Sequence, residues 1–332
     1  MIARRRFLYA AGSLAATGVL GLRHVTAGSP LHRVERTSWA LGTHISIVAL
    51  HEDEAKAGDA IEAAFAEIER VETVMSIYRD DSEISRLNAC GLLYSPHPFM
   101  LTVLAYSQKL AQDTGGAFDV TVQPLWTSFF EAKKRGALPS EDDIARARSQ
   151  VDYRKVSLSV DAVRLEPGMQ ITLNGVAQGF ALDRAIAVLR SAGIHDAMLD
   201  TGELDGLGRK PGGEAWRAGI QHPRKRDALC AVVRFDGRCL ATSGDYETYF
   251  SDDFANNHIF NPHTGHSPSE FSSVSVLAES GLDADGLSTA VFVLGADEGL
   301  KLLNARGADA FFVRKDGTTM ATTGFKRLLA PL

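Results

Sequence analysis

Cysteine is scarce in this chain of 332 residues, which has three, at positions 90, 230 and 239. An odd number leaves at least one thiol without a disulfide partner. Residues 232–240 also read as a hairpin turning at Asp236-Gly237, which would set Arg234, rather than Cys230, opposite Cys239. We therefore expect free thiols that are mostly buried.

Basic residues are too few for a nucleic-acid surface. Acids outnumber bases 41 to 35, and four of the bases precede residue 28, where there are no acids. A chain trimmed at that point keeps 31 bases against 41 acids, a net charge of −10. Because nucleic-acid binding needs a basic face, the composition argues against that class of partner.

The apolar stretch near the start of the chain is too short to span a bilayer. Residues 9–22 (YAAGSLAATGVLGL) number fourteen, whereas a transmembrane helix needs about 20. The stretch follows Arg4-Arg5-Arg6-Phe7-Leu8, which fits the twin-arginine export pattern. Residues 1–27 are therefore predicted to be a twin-arginine signal peptide that sends the folded protein to the periplasm. The alternative is an uncleaved amphiphilic anchor.

The chain also lacks internal repeats and any clear linker, so residues 35–328 are predicted to form a single domain. Apolar periodicity predicts helices at 53–77, 98–113, 141–149, 178–192, 284–294 and 297–305. Strand-like runs lie at 45–50, 155–160, 162–166, 169–173, 196–200, 216–220, 228–235, 238–242, 273–278 and 308–314. Many connections between these runs are too short for helical crossovers, which predicts an α+β fold with largely antiparallel sheets.

Two short motifs are typical of enzyme classes that their context does not support. Asp200-Thr201-Gly202 follows an apolar run, as in aspartic proteases, but those enzymes use two carboxylates that share a proton. This motif alone would need a symmetric dimer. Gly206-Leu207-Gly208 is followed by Pro211 rather than by a helix, so the dinucleotide-binding pattern fails.

Asp285 and Thr289 are candidate metal ligands. On a helix beginning near Ala284 they stand four residues apart and therefore on one face. A carboxylate and a hydroxyl are hard oxygen ligands, and Mg²⁺ typically takes few protein ligands and completes its shell with water and phosphate oxygens. The alternative is a capping carboxylate beside a threonine that bonds back to a helix carbonyl.

His258 ends a short apolar run and is followed by the turn residues Asn261-Pro262 and Thr264-Gly265. Such a turn would hold the imidazole at the edge of a site. The turn by itself does not show what the imidazole acts on.

Seven stretches in order closely resemble the successive signatures of the ApbE family of FAD:protein FMN transferases. They are SIYRDDSEISRLN, TGGAFDVTVQPLW, NGVAQGFALDRA, LDTGEL, ATSGDYETYF, HIFNPHTG and DADGLSTAVFVLG. The resemblance runs from about Leu41 to Gly324. It implies a fold related to the T-fold, with antiparallel sheets flanked by helices and an FAD cleft between two lobes.

The resemblance also implies an activity and its residues. Members of the family cleave FAD at its pyrophosphate and attach FMN to a Ser or Thr hydroxyl of another protein, releasing AMP. Asp285, Thr289 and the carbonyl of Ala177 match the Mg²⁺ ligands. His258 matches the residue that serves the acceptor hydroxyl, and because imidazole titrates near neutral pH the resemblance implies a general base there. The positions that match FAD contacts are Leu41, Tyr78, Ala117, Phe118, Asp119, Gln178 and Ile259.

The chain departs from the family pattern in two polar positions. The common Ala-Lys-Gly is Ala177-Gln178-Gly179, and the usual Asp-Pro after the histidine is Asn261-Pro262. Each change replaces a charge by an amide of similar size, so FAD binding should survive better than catalytic rate. A protein that binds or presents FAD without transferring FMN is therefore the alternative, besides an unrelated exported hydrolase.

Within the family, the twin-arginine start and the stretches LNGVAQGF, GLDADGLSTA and TTGF resemble the NosX branch. Proteins of that branch are periplasmic accessory proteins of nitrous-oxide respiration. The resemblance implies that the recipient is the flavin-carrying domain of a NosR-type membrane protein, which would bring this chain transiently close to the membrane.

Overall fold

The computed structural model describes residues 31–331 of the chain, and the predicted signal peptide at residues 1–27 lies outside them. The helices are α1 Glu54–Met75, α2 Glu83–Cys90, α3 Pro98–Asp113, α4 Gln123–Lys134, α5 Glu141–Arg148, α6 Ala177–Ser191, α7 Gly281–Arg306 and α8 Thr323–Leu328. Within the described part of the chain, no helix is both long enough and apolar enough to cross a membrane.

The strands form one large and two small sheets. In chain order they are β1 His32–Ala40, β2 Thr43–His51, β3 Leu92–Tyr94, β4 Ser157–Leu158, β5 Ala162–Arg164, β6 Asp196–Asp200, β7 Leu204–Leu207, β8 Arg217–His222, β9 Lys225–Arg234, β10 Cys239–Gly244, β11 Phe271–Ala278, β12 Asp309–Arg314, β13 Thr319–Ala321 and β14 Leu329–Ala330. The large sheet has the order β1-β2-β6-β7-β10-β11-β12-β13, and the small sheets are β14-β9-β8 and β3-β5-β4. The paired strands of the large sheet are antiparallel. The predicted α+β class with antiparallel sheets is confirmed.

The large sheet is covered on both faces, which explains why its strands are apolar on both sides. Along β2, Ile45 and Ile47 face the main core with α1, α6 and α7, whereas Val48 and Leu50 face a second core with β8, β9 and α8. All eight residues of β11 are buried. The sheet therefore anchors α6 and α7 on one side only.

The predicted break between two C-terminal helices coincides with a kink in α7. Gly295 has φ 80° and ψ −177°, outside the helical region. The carboxylate of Glu270 accepts a 3.0 Å hydrogen bond from the N–H of Ala296 and so replaces the helix partner lost at the kink.

The predicted strand at 169–173 is wrong. Met169, Ile171 and Leu173 are buried as in a strand, but the segment pairs with a side chain rather than with another strand. Asn88 accepts from the N–H of Ile171 at 2.7 Å and donates to its carbonyl at 2.8 Å. An amide side chain that satisfies both backbone groups cannot be recognised from local periodicity.

The predicted hairpin at 232–240 is also wrong. The Asp236-Gly237 turn connects two sheets, because β9 pairs with β8 and β14 whereas β10 pairs with β7 and β11.

All three thiols are free, as expected, but only Cys239 is buried. Cys230 is half-buried, and Cys90 is exposed because it is the last residue of α2.

Candidate functional site

Helices α6 and α7 cross in backbone contact at two glycines. A Cβ atom on Gly179 would lie 2.0 Å from the carbonyl oxygen of Gly281, and one on Gly281 would lie 2.3 Å from that of Gly179. Only glycine permits such an approach. The approach lets Oδ2 of Asp285 accept a 3.0 Å hydrogen bond from the N–H of Gly179. The Asp285 carboxylate is thus buried at the N-terminus of α6.

Residues other than Asp285 accept hydrogen bonds from the N–H groups in the first turn of α7. Ser280 is the N-cap residue, and its hydroxyl accepts a backbone hydrogen bond. The carboxylate of Asp183 accepts from the N–H groups of Gly281 at 2.6 Å and Leu282 at 2.9 Å. Asp285 therefore does not cap α7, its own helix, since these groups already satisfy the first donors there. Its carboxylate instead caps the first turn of α6 through the N–H of Gly179.

Thr289 lies one turn beyond Asp285, on the same face of α7. Its Oγ1 is 3.0 Å from Oγ of Ser243 at the end of β10, so the hydroxyl is turned toward the sheet. A Cβ atom on Gly175 would lie 3.1 Å from Oγ1 of Thr289. Glycine at 175 therefore leaves open the space beside this hydroxyl.

The β6–β7 turn lies against the start of α6, where Ala177 is the first helical residue and the N-cap residue Val176 makes no side-chain cap hydrogen bond. Thr201 donates through Oγ1 to the carbonyl of Gln178 at 3.3 Å. Gly202 has φ +95°, and a Cβ atom there would lie 2.6 Å from Nε2 of Gln178. The amide that replaces the family's lysine therefore packs on the backbone of this turn.

The segment 117–119 is held by the Asp119 carboxylate. It accepts from the N–H and hydroxyl of Thr121 at 2.8 and 2.6 Å, and from the N–H of Tyr153 at 3.0 Å. Burial raises the pKa of Asp119, and these hydrogen bonds oppose the rise. Asp119 thus fixes the conformation of the 117–119 loop. The ring of Phe118 lies close to Gly175, just before α6, because a Cβ atom on Gly175 would be 3.5 Å from it.

Three of the remaining predicted FAD contacts belong to the main core or pack against it, and the fourth is at the surface. Ala117 and Ile259 belong to the same core as Phe118 and Ala177, and Leu41 packs against it. Leu41 has φ 51° in the β1–β2 turn, and its N–H donates to Glu72 at 3.1 Å. Tyr78 is 60% exposed, and its backbone N–H donates to Oγ of Ser76 at 3.3 Å.

His258 is held through its own backbone and its ring. Both its N–H and its Nδ1 contact the carbonyl oxygen of Thr248, at 3.0 and 3.1 Å. A carbonyl only accepts, so Nδ1 carries the proton and Nε2 carries the lone pair in the neutral ring. This tautomer is the one that a general base acting through Nε2 requires.

Asn261 organises the turn after His258. Its Oδ1 accepts from the N–H of His263 at 2.9 Å, and its carbonyl accepts from the N–H of Gly265 at 2.8 Å. A carboxylate oxygen would accept the first bond equally well. The difference between asparagine and the family's aspartate therefore does not change this turn.

Sequence reasoning missed Ser243, Asp183 and Asn257. Ser243 lies within a quoted family stretch, but its contact with Thr289 depends on how β10 packs against α7. Within residues 31–331, no group of three or more His, Cys, Asp or Glu side chains is placed to hold a metal. Any cation at Asp285 would therefore need hydroxyl, carbonyl, water or substrate oxygens.

Asp-Thr-Gly occurs a second time in the chain, at residues 113–115. Asp113 is the last residue of α3, and its carboxylate pairs with Lys109 and Arg306. Asp200 instead accepts from the N–H of Gly202 in the β6–β7 turn. An aspartic protease is not supported, because Asp113 already neutralises two cations at a helix end.

The chain is similar to known proteins of one family. The model of the ApbE family matches residues 41–312. Proteins named FAD:protein FMN transferase from Haemophilus influenzae and Treponema pallidum are 31% and 32% identical to this chain over 279 and 294 residues. The matches cover 78% and 80% of this chain, and 80% of each relative.

Solved structures show the same fold. The apo flavinyl transferase ApbE of Pseudomonas stutzeri superposes with a TM-score of 0.79 at 31% identity, covering 91% of this chain and 98% of that one. The ApbE protein of Thermotoga maritima gives 0.82 at 28% identity, with 90% and 100% coverage. The match of the family model, the identity to these relatives and the shared architecture together show that this chain belongs to the ApbE family.

Proposed function

We propose that this chain is an FAD:protein FMN transferase, with residues 35–328 as its transferase domain. It joins the phosphate of FMN to a Ser or Thr hydroxyl of a recipient flavoprotein and releases AMP. The observation that carries the proposal is the α6–α7 crossing, which sets the buried Asp285 carboxylate and the Thr289 hydroxyl beside the N-terminus of α6. The names of the relatives support the same reaction.

The oxygen donors at the crossing suit Mg²⁺. In this proposal Asp285 would supply a carboxylate, Thr289 a hydroxyl and Ala177 a main-chain carbonyl. The glycine at 175 leaves space beside the hydroxyl of Thr289. Few protein ligands are typical of Mg²⁺ sites that also take phosphate oxygens. The ion would supply charge neutralisation on the pyrophosphate during phosphoryl transfer.

In the proposed reaction, the N-terminus of α6 binds the substrate pyrophosphate and His258 acts as the base. The N-terminus of α6 carries partial positive charge and favours the FAD pyrophosphate. Nε2 of His258 accepts the proton of the recipient hydroxyl, and the oxygen forms a bond to the phosphorus on the FMN side. The bond from that phosphorus to the bridging oxygen breaks, and AMP leaves with the electron pair.

The flavin end of FAD lies in a cleft between two lobes in this proposal. Tyr78, whose ring is exposed, and Phe118, Ala117 and Ile259 from the neighbouring core would contact the ring system. Leu41 closes one side of the cleft from the β1–β2 turn. Asp119 acts by holding the 117–119 loop, because its oxygens already accept three hydrogen bonds.

We further propose a periplasmic location and a recipient of the NosR type. The twin-arginine pattern at Arg4-Arg5-Arg6 and the NosX-like stretches support this proposal. It places the reaction in the maturation of the nitrous-oxide respiration system, where a membrane-bound recipient would bring the enzyme near the bilayer.

The second candidate is an FAD-binding protein without transfer activity. Gln178 favours it, because an amide at the start of α6 lacks the charge that a lysine would bring to the pyrophosphate. The intact Asp285 and His258 speak against it, since flavin storage needs neither a buried metal ligand nor a base.

The test mixes the protein with FAD, Mg²⁺ and a recipient domain that a known family member can label. We expect AMP release and flavin fluorescence on the recipient that survives denaturation, and both should disappear with EDTA. Asp285→Asn should lower the transfer rate by about 10³-fold or more. The amide oxygen can still accept from Gly179, so the fold should be retained. FAD binding without either product would favour the storage protein.

A further inference from the structure

The segment that leads to His258 contains no helix and no extended strand. Residues 245–257 connect β10 to His258, and the one regular feature among them is a bridge between Tyr249 and Asn257. A base must be held close to its productive position, because a displacement of about 1 Å can lower the rate about 10²-fold. Side-chain contacts from outside the segment must therefore supply the rigidity.

Asp245, at the start of the segment, is fully buried and paired with two cations. Arg224, in the β8–β9 turn, donates from NH1 and NH2 to the two carboxylate oxygens, both at 2.7 Å. Lys315, directly after β12, donates from Nζ to Oδ2 at 2.6 Å. The backbone N–H of Asp245 also donates to the carbonyl of Ser272 at 3.0 Å. The start of the segment is thus tied to three other parts of the chain.

The same two cations contact Phe254, nine residues further along. The guanidinium of Arg224 lies 4.1 Å from the centroid of the Phe254 ring. Nζ of Lys315 donates to the Phe254 carbonyl at 3.0 Å. Phe254 has φ 60°, a conformation that costs free energy in a residue with a bulky side chain. Arg224 and Lys315 therefore each bridge residue 245 to residue 254.

Phe254 also contacts Asn257, the residue before His258. Its carbonyl also accepts from Nδ2 of Asn257 at 3.2 Å. Asn257 is fully buried, its N–H donates to Ser267 at 2.9 Å, and its Oδ1 accepts from the N–H of Ile259 at 3.1 Å. The backbone on both sides of His258 is therefore fixed through Asn257.

We infer that Arg224 and Lys315 are positioning residues that hold the 245–257 segment closed and so orient the imidazole of His258 for the transfer step. This inference rests on the proposed role of His258 as the base. Lys315 is the more informative residue to change, because Asp245 keeps its bidentate partner Arg224 when the ammonium is removed.

The first test compares Lys315→Met with Lys301→Met, a control at an exposed lysine of α7 that pairs only with Glu298 among the described residues. We expect Lys315→Met to lower the single-turnover rate of FMN transfer about tenfold, because a small displacement of a reacting group is costly. The dissociation constant for FAD should change less than about twofold in both variants. An unchanged rate, or a loss explained by weaker FAD binding, would overturn the inference.

The second test needs no transfer activity. In protein labelled with ¹⁵N-histidine, the Nδ1–H of His258 should give a slowly exchanging proton signal because it donates to Thr248, and the signal is assigned by its loss in His258→Ala. We expect Lys315→Met to broaden or remove this signal and Lys301→Met to leave it unchanged. A sharp, unshifted signal in Lys315→Met would contradict the positioning role. Absence of transfer in the parent protein would refute the proposed function alone, since the signal still reports on the segment.

Discussion

The α6–α7 crossing and the His258 segment supply the two halves of the proposed chemistry in different ways. At the crossing, two regular helices meet through the backbones of Gly179 and Gly281, and this contact places Asp285. The His258 segment is irregular, and hydrogen bonds and ion pairs of Asp245, Phe254 and Asn257 hold it.

This difference predicts how the α6–α7 crossing and the His258 segment each respond to substitutions. A backbone contact cannot relax without moving a whole helix, so substitutions at the crossing should cause abrupt losses of stability and activity together. A network of side-chain contacts loses one partner at a time, so substitutions around His258 should cause graded losses of rate. The proposed binding of the metal and the proposed orientation of the base should therefore be separable by mutation.

Gly179→Ala should have the largest effect, because the added Cβ would lie 2.0 Å from a backbone oxygen. We expect a loss of about 3 kcal/mol or more in the free energy of unfolding and no detectable transfer. Gly58→Ala, in α1 where a Cβ meets nothing within 4 Å, is the control and should stabilise by about 0.5–1 kcal/mol. Urea denaturation of both variants measures the contrast, and similar stabilities would show that the helices can separate.

His258→Ala should lower the rate of transfer by about 10²–10⁴-fold, the range for removal of a general base. The fold and the dissociation constant for FAD should be nearly unchanged, since the 245–257 segment is held by other residues. Isothermal titration with FAD and single-turnover kinetics separate these quantities. Loss of FAD binding would instead make His258 a ligand contact.

Asp205→Asn tests whether the buried carboxyl group of Asp205, in β7, makes the stability of the fold depend on pH. Asp205 is buried and its Oδ1 has no hydrogen-bond partner among residues 31–331. Burial raises its pKa to about 7, Arg190 and the N–H of Gly206 oppose the rise, and Asp183 and Asp236 add to it. The carboxyl also lies near the thiol of Cys239.

The raised pKa of Asp205 means that the unfolded chain loses this proton at lower pH than the folded protein. The free energy of unfolding should therefore fall as the pH rises from about 4 to about 7, by at most about 4 kcal/mol, and then level off. Asp205→Asn should remove that slope. Chemical denaturation at several pH values checks it, and identical pH profiles for the two proteins would contradict the prediction.

Asn261→Asp should have the smallest effect, because either side chain can accept from the N–H of His263. We expect a transfer rate within about twofold of the parent, as for substitutions that keep the local contacts. Asn261→Ala, which removes the acceptor, should be the slower of the two. A large fall in Asn261→Asp would mean that the added charge disturbs His258 directly.

Much of the framework was predictable because it depends on local patterns. The apolar spacing in α3 predicted its bounds of 98–113, and the predicted gap between helices at 284–294 and 297–305 matches the kink at Gly295 of α7. The Asp285–Thr289 pair was predictable because four residues return to the same helix face. By contrast, β1, β7 and α2 were not predicted, since their residues show weak periodicity and depend on neighbours distant in the chain.

The sequence by itself determined the fold class, the helix faces and the order of the motifs, because helix and strand periods and turn residues act over a few neighbouring positions. Only the tertiary structure decided that β9 and β10 lie in different sheets, that Asn88 pairs with Ile171, and that Ser243 meets Thr289. It also decided that Arg224 and Lys315 converge on Asp245. Those contacts join residues separated by tens of positions, and which partners meet depends on how whole sheets and helices pack.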